Sequence, residues 1–259
     1  MSVLTYETLK LEIRDHVATV ALAREPVNAM NRRMREELIE AASVLGGDPS
    51  VRAIVLTGLG KMFCAGADLN DRPDTSRLGA YTIHNRHVRE CFNAVLECPK
   101  PIVAALNGPA IGAGLVLATC CDILVASDSA WVSMPEVEVG LAGGPRHMLR
   151  HFHQSDARLL MLTARRISGP DLLRMNVVSA CVAAEDCVPT ATSIAAEIAA
   201  KSPAAVRAAK KSFILGEDLP LNEAYRHEQS LTEVLSEGPD FAEAQAAFRE
   251  KRSPDFSGD

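Results

Sequence analysis

The sequence of 259 residues predicts an α/β fold built around a parallel sheet. Two apolar, β-branched runs, residues 51–57 and 101–106, have the composition of buried strands. A helical stripe of apolar residues precedes each run, and a glycine-rich loop follows each one, at residues 63–69 and 107–114. Because strands alternate with helices, we expect right-handed β-α-β crossovers, which make neighbouring strands parallel.

The elements follow in chain order. Polarity alternates on both sides of Arg14-Asp15, which predicts a β-hairpin over residues 9–13 and 17–22. Apolar residues at helical spacing predict a first helix over residues 30–45 that stops at Gly46-Gly47. Further elements are predicted as a helix over residues 75–97, a strand over 123–126, a short strand near 177–182, and an otherwise helical remainder from 157 that is interrupted at 168–170 and at Pro203.

Composition excludes several classes of function. A net charge of −6 provides no general attraction to nucleic acid or to an anionic membrane, so neither is expected as a partner. Seven cysteines without a C-x-x-C pair predict neither a disulfide framework nor a zinc site, and no metal is expected. No apolar run reaches membrane-spanning length, and residues 1–7 lack the pattern of a signal peptide, so we expect a cytoplasmic protein.

The glycine-rich loops carry the candidate chemistry. Each lies where a strand ends, and in the second loop an apolar stretch continues directly from the glycines as a helix start, which exposes free N–H groups. Two such amides that point at one position form an oxyanion hole, which stabilises an enolate or a tetrahedral intermediate. Either loop alone is weak evidence, because most glycine-rich loops serve turn geometry or close packing.

Several segments together resemble the enoyl-CoA hydratase/isomerase (crotonase) superfamily over nearly the whole chain. They are the two loops and the segments REPVNAM (24–30), CDI (121–123), MPEV (134–137), GL (140–141), LTARRI (162–167) and AFREKR (247–252). The resemblance implies a crotonase-like spiral of repeated β-β-α units, residues 1–195, and a C-terminal helical trimerisation region, residues 196–259. It also implies an acyl-CoA thioester substrate, no separate cofactor because coenzyme A belongs to the substrate, and a homotrimer or a hexamer of two trimers.

The resemblance assigns the catalytic roles to three residues. The oxyanion amides would be those of Ala67 and Ala113, and the acid/base carboxylate would be Glu136. Many relatives have glycine at the position of Ala113, so the alanine requires a negative φ there. The apolar neighbours of Glu136 in the sequence are expected to raise the pKa of its carboxylate toward a working range. The residues alone leave open that Glu136 is an ordinary surface glutamate.

Two departures from the family pattern bear on the reaction. Hydratases of the family carry a second glutamate where this chain has Val116, and dienoyl isomerases carry an aspartate where it has Gly144. Valine can neither orient nor deprotonate water, whereas a single carboxylate can move a proton between C4 and C2 of an enoyl thioester. We therefore favour a Δ3,Δ2-enoyl-CoA isomerase; the alternatives are a hydratase with one catalytic glutamate, decarboxylation, thioester hydrolysis, or a non-catalytic CoA-binding relative.

The resemblance also implies contacts to coenzyme A. They come from Glu25, Val27, Ala65, Asp68 and Leu69, and from Phe248 and Lys251, which would reach the ligand of a neighbouring subunit. It further implies that the region of His84 and His87 lines the acyl pocket, although their i, i+3 spacing alone favours packing on a long helix. His147, His151 and His153 do not share one helical face, which argues against a common metal ion.

Overall fold

The computed structural model describes residues 5–74 and 76–257. Residues 1–4, 258 and 259, and Thr75, which is the predicted start of the second helix, lie outside the described residues. In chain order the elements are β1 (Leu9–Arg14), β2 (Val17–Leu22), α1 (Arg32–Gly47), β3 (Ala53–Gly58), α2 (Ala80–Leu96), β4 (Ile102–Leu106), β5 (Ala110–Ile111), α3 (Ala113–Thr119), β6 (Ile123–Ser127), β7 (Trp131–Ser133), α4 (Pro145–Met148), α5 (Gln154–Thr163), β8 (Ile167–Ser168), α6 (Gly169–Arg174), β9 (Ala180–Val182), α7 (Cys187–Ala199), α8 (Pro203–Gly216), α9 (Leu221–Ser236) and α10 (Pro239–Glu250). Short 3-10 helices lie at Leu69–Asp71, Pro135–Val139 and Ala184–Asp186.

The larger sheet has the strand order β1-β2-β3-β4-β6-β9. The β1–β2 hairpin is antiparallel, and the remaining pairs are parallel, as the alternation of strands and helices predicts. Asp15 and His16 make the hairpin turn with φ of 47° and 67°, one residue later than predicted. Because β3 and β4 are adjacent and parallel, the loops that follow them leave the same edge of the sheet.

The two faces of this sheet bury different layers. On one face Val55, Val103 and Val125 pack against α7, which presents an alanine stripe at i, i+4 spacing that includes Ala191 and Ala195. The larger part of the core lies on the other face, beneath α1 and α2. A second sheet, β5-β7-β8, has strands of only two or three residues, and the sequence pattern did not reveal it.

The first helix ends at Gly47, with Asp48 as its C-cap, which agrees with the predicted stop at Gly46-Gly47. Gly46 also has a packing role, because a Cβ there would lie 2.9 Å from the Cδ of Pro99. The second helix begins at Ala80, after Gly79 with φ of 79°.

The C-terminal third is helical, as predicted, and Pro203 begins α8. The predicted boundary between residues 195 and 196 falls within α7, whose Ala199 packs with the sheet, and the division into two parts stays a prediction. In the part of the chain that the structure describes, no helix is both long and apolar enough to cross a membrane.

Candidate active site

The first glycine-rich loop is fixed by backbone hydrogen bonds to Met30. The Met30 N–H donates to Gly66 O at 2.7 Å, and the Asp68 N–H donates to Met30 O at 3.0 Å. These two bonds involve Gly66 and Asp68, the residues on either side of Ala67, and they make Met30 and Ala67 an isolated parallel β-bridge. In such a bridge the N–H of the central residue points away from its partner, so the Ala67 N–H points away from Met30. Ala67 is exposed, and among residues 5–74 and 76–257 no protein acceptor pairs with its N–H.

The second loop packs directly on the first. The Ile111 N–H donates to Cys64 O at 3.0 Å, and the Cys64 N–H donates to Pro109 O at 3.2 Å. Ala113 is the first residue of α3, so its N–H has no partner within the helix, and its φ is not positive, as its side chain requires. A Cβ on Gly66, whose φ is 93°, would lie 2.7 Å from Ile111 O and 3.5 Å from Ala113 N. The glycine therefore lets the two loops meet, with the amides of Ala67 and Ala113 as neighbours.

The side chain of Glu136, in the 3-10 helix Pro135–Val139, packs against the second loop. Its turn follows β7, which pairs with β5, and the Gly112 N–H donates to Ser133 O at 2.9 Å, so the strand pairing holds this turn against the loop. A Cβ on Gly112 would lie 2.5 Å from Glu136 Oε1, which places the carboxylate against the residue that precedes Ala113. The structure thus brings all three predicted catalytic residues, Ala67, Ala113 and Glu136, to one place.

The electrostatic surroundings of Glu136 suit a base. Its side chain is half-buried, and its Oε2 atom is buried with no hydrogen-bond partner in the described parts of the chain. Burial raises the pKa of this carboxyl group, an effect that a backbone hydrogen bond partly offsets. A carboxylate with a raised pKa and an unused acceptor oxygen can accept a proton from a ligand.

Val116 and Gly144, the two positions where relatives carry further carboxylates, lie in contact with each other. A Cβ on Gly144, whose φ is 83°, would lie 2.6 Å from Val116 Cγ2 and 3.0 Å from Met134 Cε. Val116 is only 4% exposed. An apolar contact therefore occupies the place where the family resemblance puts further carboxylates, and of positions 116, 136 and 144 only Glu136 is ionisable.

Five of the residues predicted to contact coenzyme A lie near the first loop. The Ala65 N–H donates to Val27 O at 3.0 Å, which joins the segment of Glu25 to this loop. The side chains of Glu25, Val27 and Leu69 are exposed. Asp68 instead accepts from Arg24 at 2.6 Å and from the Asn70 N–H at 2.9 Å, and these hydrogen bonds lower the pKa of its carboxyl group. Its side chain thus stabilises the loop.

Phe248 and Lys251 lie elsewhere in the chain. Phe248 projects from α10 and is 86% exposed, and Lys251 follows the helix with φ of 54°. Just beyond them, Arg52 donates to Phe256 O at 2.8 Å, beside the start of β3, whereas the first glycine-rich loop follows the end of that strand. The structure does not bring these two residues to the loops within one chain.

A cavity of about 370 Å³ adjoins the first loop, and His84 and His87, whose region the family resemblance placed at the acyl pocket, line it together with arginines that sequence reasoning missed. Its basic lining residues are Arg32, Arg35, Arg72, Arg77, His84 and His87. The spacing of the two histidines indicated a shared direction, but nothing in the sequence indicated that arginines of α1 face them. Packing of α1 beside α2 is what brings these groups together.

His147, His151 and His153 each have a separate structural contact. The ring of His147 packs edge-on against Phe92 at 5.7 Å, His151 Nε2 lies 3.0 Å from Cys121 O, and His153 precedes α5 as its N-cap. Residues 5–74 and 76–257 contain no group of three or more side chains arranged to hold a metal ion.

Burial raises the pKa of Cys64 to about 12, so the thiol beside the two loops is not a nucleophile at neutral pH.

Comparisons with known proteins identify the family and the fold. The model of the enoyl-CoA hydratase/isomerase family matches residues 12–259. The chain is 36% identical over 255 residues to (E)-benzylidenesuccinyl-CoA hydratase of Thauera aromatica, covering 96% of this chain and 98% of that protein. It is 33% identical over 258 residues to a probable enoyl-CoA hydratase of Mycobacterium tuberculosis, covering 98% and 99%. The solved structure of Pseudomonas aeruginosa DspI superimposes with a TM-score of 0.93 at 30% identity, covering 98% of this chain and 99% of that one. The predicted resemblance and fold class are thereby confirmed: the chain has the crotonase fold and belongs to the enoyl-CoA hydratase/isomerase family.

Proposed function

We propose that this chain isomerises 3-enoyl-CoA thioesters to 2-enoyl-CoA thioesters, with Glu136 as the proton shuttle. The observation that supports this most directly is the carboxylate of Glu136, which lies beside Gly112 through Oε1 and has a buried Oε2 without a partner in the described residues. A carboxylate held there can reach a ligand whose thioester oxygen lies at the amides of Ala67 and Ala113. No second acid or base is needed, because one carboxylate can serve both carbons in turn.

The reaction proceeds in two proton transfers. The ionised Glu136 removes a proton from C2, and the electrons of the C2–H bond shift toward the thioester oxygen to form a dienolate. The N–H groups of Ala67 and Ala113 stabilise this oxygen, a contribution of several kcal/mol in related oxyanion holes. Protonated Glu136 then returns the proton to C4, the double bond moves from C3–C4 to C2–C3, and the carboxylate is regenerated.

Hydration of 2-enoyl-CoA is the second candidate, because both curated relatives described above are named hydratases. Against it, Val116 offers no group to orient or deprotonate water, and its contact with Gly144 makes this side of the site apolar. Hydration would therefore depend on Glu136 alone to position the water and to transfer its proton. We expect it to be slow.

The experiment that separates the two reactions supplies one substrate for each in deuterated water. The purified protein is incubated with 3-hexenoyl-CoA and, separately, with crotonyl-CoA; hydration is identified by the added mass of water, and isomerisation, which leaves the formula unchanged, by the absorbance of the conjugated 2-enoyl thioester. We expect 2-hexenoyl-CoA without addition of water, with solvent deuterium at C4 in the fraction of turnovers in which the proton on Glu136 exchanges before its transfer. Hydration of crotonyl-CoA at a turnover similar to or above that of isomerisation would refute the isomerase proposal in favour of the hydratase.

We further propose that the chain assembles as a homotrimer or as two stacked trimers, in which Phe248 and Lys251 contact coenzyme A bound to a neighbouring subunit. The support is the exposure of large apolar side chains along the last three helices. These include Phe213 at 78%, Leu221 at 83%, Val234 at 71% and Phe248 at 86%. A surface of this kind is typical of a protein–protein interface.

A further inference from the structure

The cavity beside the first loop has no role in the proton transfers described above. Its volume of about 370 Å³ lies in the range of small-molecule pockets, roughly 300–1,000 Å³. It is enclosed by the start of α1, by residues 71–74 with Arg77 and Leu78, and by the start of α2. Three separate parts of the chain therefore contribute to it.

The cavity carries an excess of positive charge. Four arginines and two aspartates line it, and Arg32 is paired with Glu36 at 2.8 Å, which leaves an excess of one positive charge. Arg35 pairs with Asp71 at 2.9 Å, and the Asp74 carboxylate accepts from Ser76. Arg72 and Arg77 have no carboxylate within ion-pair distance among the residues that the structure describes. Since the whole chain has a net charge of −6, this excess is local, and it favours an anion.

Arg35 supplies a second, independent observation. Its side chain is 5% exposed, its Nη2 donates to Asp71, and its Nε is buried without a partner in the described residues. A buried donor that lacks an acceptor is unfavourable unless a ligand or water satisfies it. Across the cavity, burial and the nearby Arg35 guanidinium lower the pKa of His84, so its ring is neutral at pH 7 and can donate or accept a hydrogen bond.

Residues that line the cavity are hydrogen-bonded to the backbone on both sides of Ala67. Arg35 Nη1 lies 3.4 Å from Met30 O, and Met30 is the bridge partner of Ala67. On the other side, the Asp71 N–H donates to Asp68 O at 3.1 Å in the turn that leaves the first loop. The residues predicted to contact coenzyme A, by contrast, do not line this cavity. The cavity therefore adjoins the loop that carries Ala67, where the proposed function places the thioester.

We propose that the cavity binds a carboxylate at the far end of the acyl group, and hence that the substrates are CoA monothioesters of dicarboxylic acids. This inference rests on the proposed function, which places the thioester at the amides of Ala67 and Ala113. Arginine suits the role because its planar guanidinium donates two parallel hydrogen bonds to one carboxylate. A phosphate of coenzyme A has the same anionic chemistry, and the experiment must distinguish the two.

The test measures binding of two saturated, unreactive ligands that differ only in the terminal group, adipyl-CoA and hexanoyl-CoA. Calorimetric dissociation constants are determined for the wild type and for Arg72→Gln/Arg77→Gln. From the usual strength of charge-assisted hydrogen bonds, we expect the wild type to bind adipyl-CoA about tenfold more tightly than hexanoyl-CoA. The double variant should lose most of that preference. The control Arg86→Gln/Arg89→Gln removes the same charge from α2 outside the cavity and should keep it.

A spectroscopic measurement on the wild type gives an independent readout. The pKa of His84 is measured by NMR of its imidazole ring. Adipyl-CoA should raise this pKa, because a bound carboxylate offsets the positive field of Arg35. Hexanoyl-CoA should leave it unchanged. A His84 pKa that responds identically to both ligands would contradict the proposal.

The outcomes separate this inference from the proposed reaction. If the cavity variant weakens both acyl-CoA ligands equally, and removal of the 3′-phosphate from the ligands abolishes that effect, the bound anion is the phosphate and the proposal is overturned. Isomerisation of neutral and dicarboxylic substrates with no binding preference also overturns it, while the reaction stands. A clear preference for adipyl-CoA without any isomerase activity supports the cavity and refutes the reaction.

Discussion

Replacement of Glu136 by glutamine tests the catalytic argument most directly. The substitution keeps the shape of the side chain and removes the group that accepts the proton. Loss of a general base typically lowers the rate by about 10²–10⁴-fold, or about 3–5 kcal/mol of transition-state free energy. We expect a loss near the upper limit, because Val116 and Gly144 provide no second carboxylate beside the loops.

The same variant should be as stable as the wild type or more stable at neutral pH. Burial raises the pKa of Glu136 in the folded state, so its ionised form is disfavoured there. The stability that neutral Glu136 contributes is fully present below its unfolded pKa and is lost as pH rises through the raised folded pKa. Glutamine does not titrate. The unfolding midpoint of E136Q minus that of the wild type should therefore increase with pH across this window and then level off.

The assay combines isomerisation of 3-hexenoyl-CoA with thermal unfolding from below the ordinary glutamate pKa to above neutrality. The matched control is Glu138→Gln, which alters an exposed glutamate of the same 3-10 turn and should change neither quantity. The wild-type kcat/KM should rise with pH through the raised pKa, since the ionised form acts as the base. Retention of more than about a tenth of the activity by E136Q would refute the role of this carboxylate.

Three further outcomes are expected. Val116→Glu should lower the free energy of unfolding by about 1–3 kcal/mol in urea titrations, because position 116 is 4% exposed and offers a carboxylate no charged partner; an unchanged midpoint would contradict this. Lys210→Met should lower the free energy of unfolding by about 3–5 kcal/mol in the same titrations, because the lysine is 5% exposed and its Nζ lies 2.8 Å from Asp122 Oδ2. A loss below about 1 kcal/mol would show that this ion pair does not anchor α8. In sedimentation at working concentration the wild type should be a trimer or hexamer, and Phe248→Asp should shift it toward smaller species; a wild-type monomer would refute the proposed assembly.

Much of the fold follows from local patterns. The hairpin over β1 and β2, the buried strands β3 and β4, and the starts of their loops were predictable because each depends on a run of several residues. The small sheet β5-β7-β8 was not, since strands of two or three residues carry no measurable periodicity. Gly46-Gly47 correctly indicated the end of the first helix, but the sequence could not show that Gly46 is also needed for packing against Pro99, which belongs to a distant segment.

The sequence by itself determined the fold class, the family and the identity of the three candidate catalytic residues, because glycine loops, strand runs and ordered motifs are properties of contiguous residues. Only the tertiary structure decided that Gly66 brings Ala67 beside Ala113, that Glu136 Oε2 is buried without a partner, and that Arg35 faces His84 across one cavity. Such features arise where separate elements pack together. Burial, pKa shifts and local electric fields depend on these long-range contacts, and spacing along the chain does not encode them.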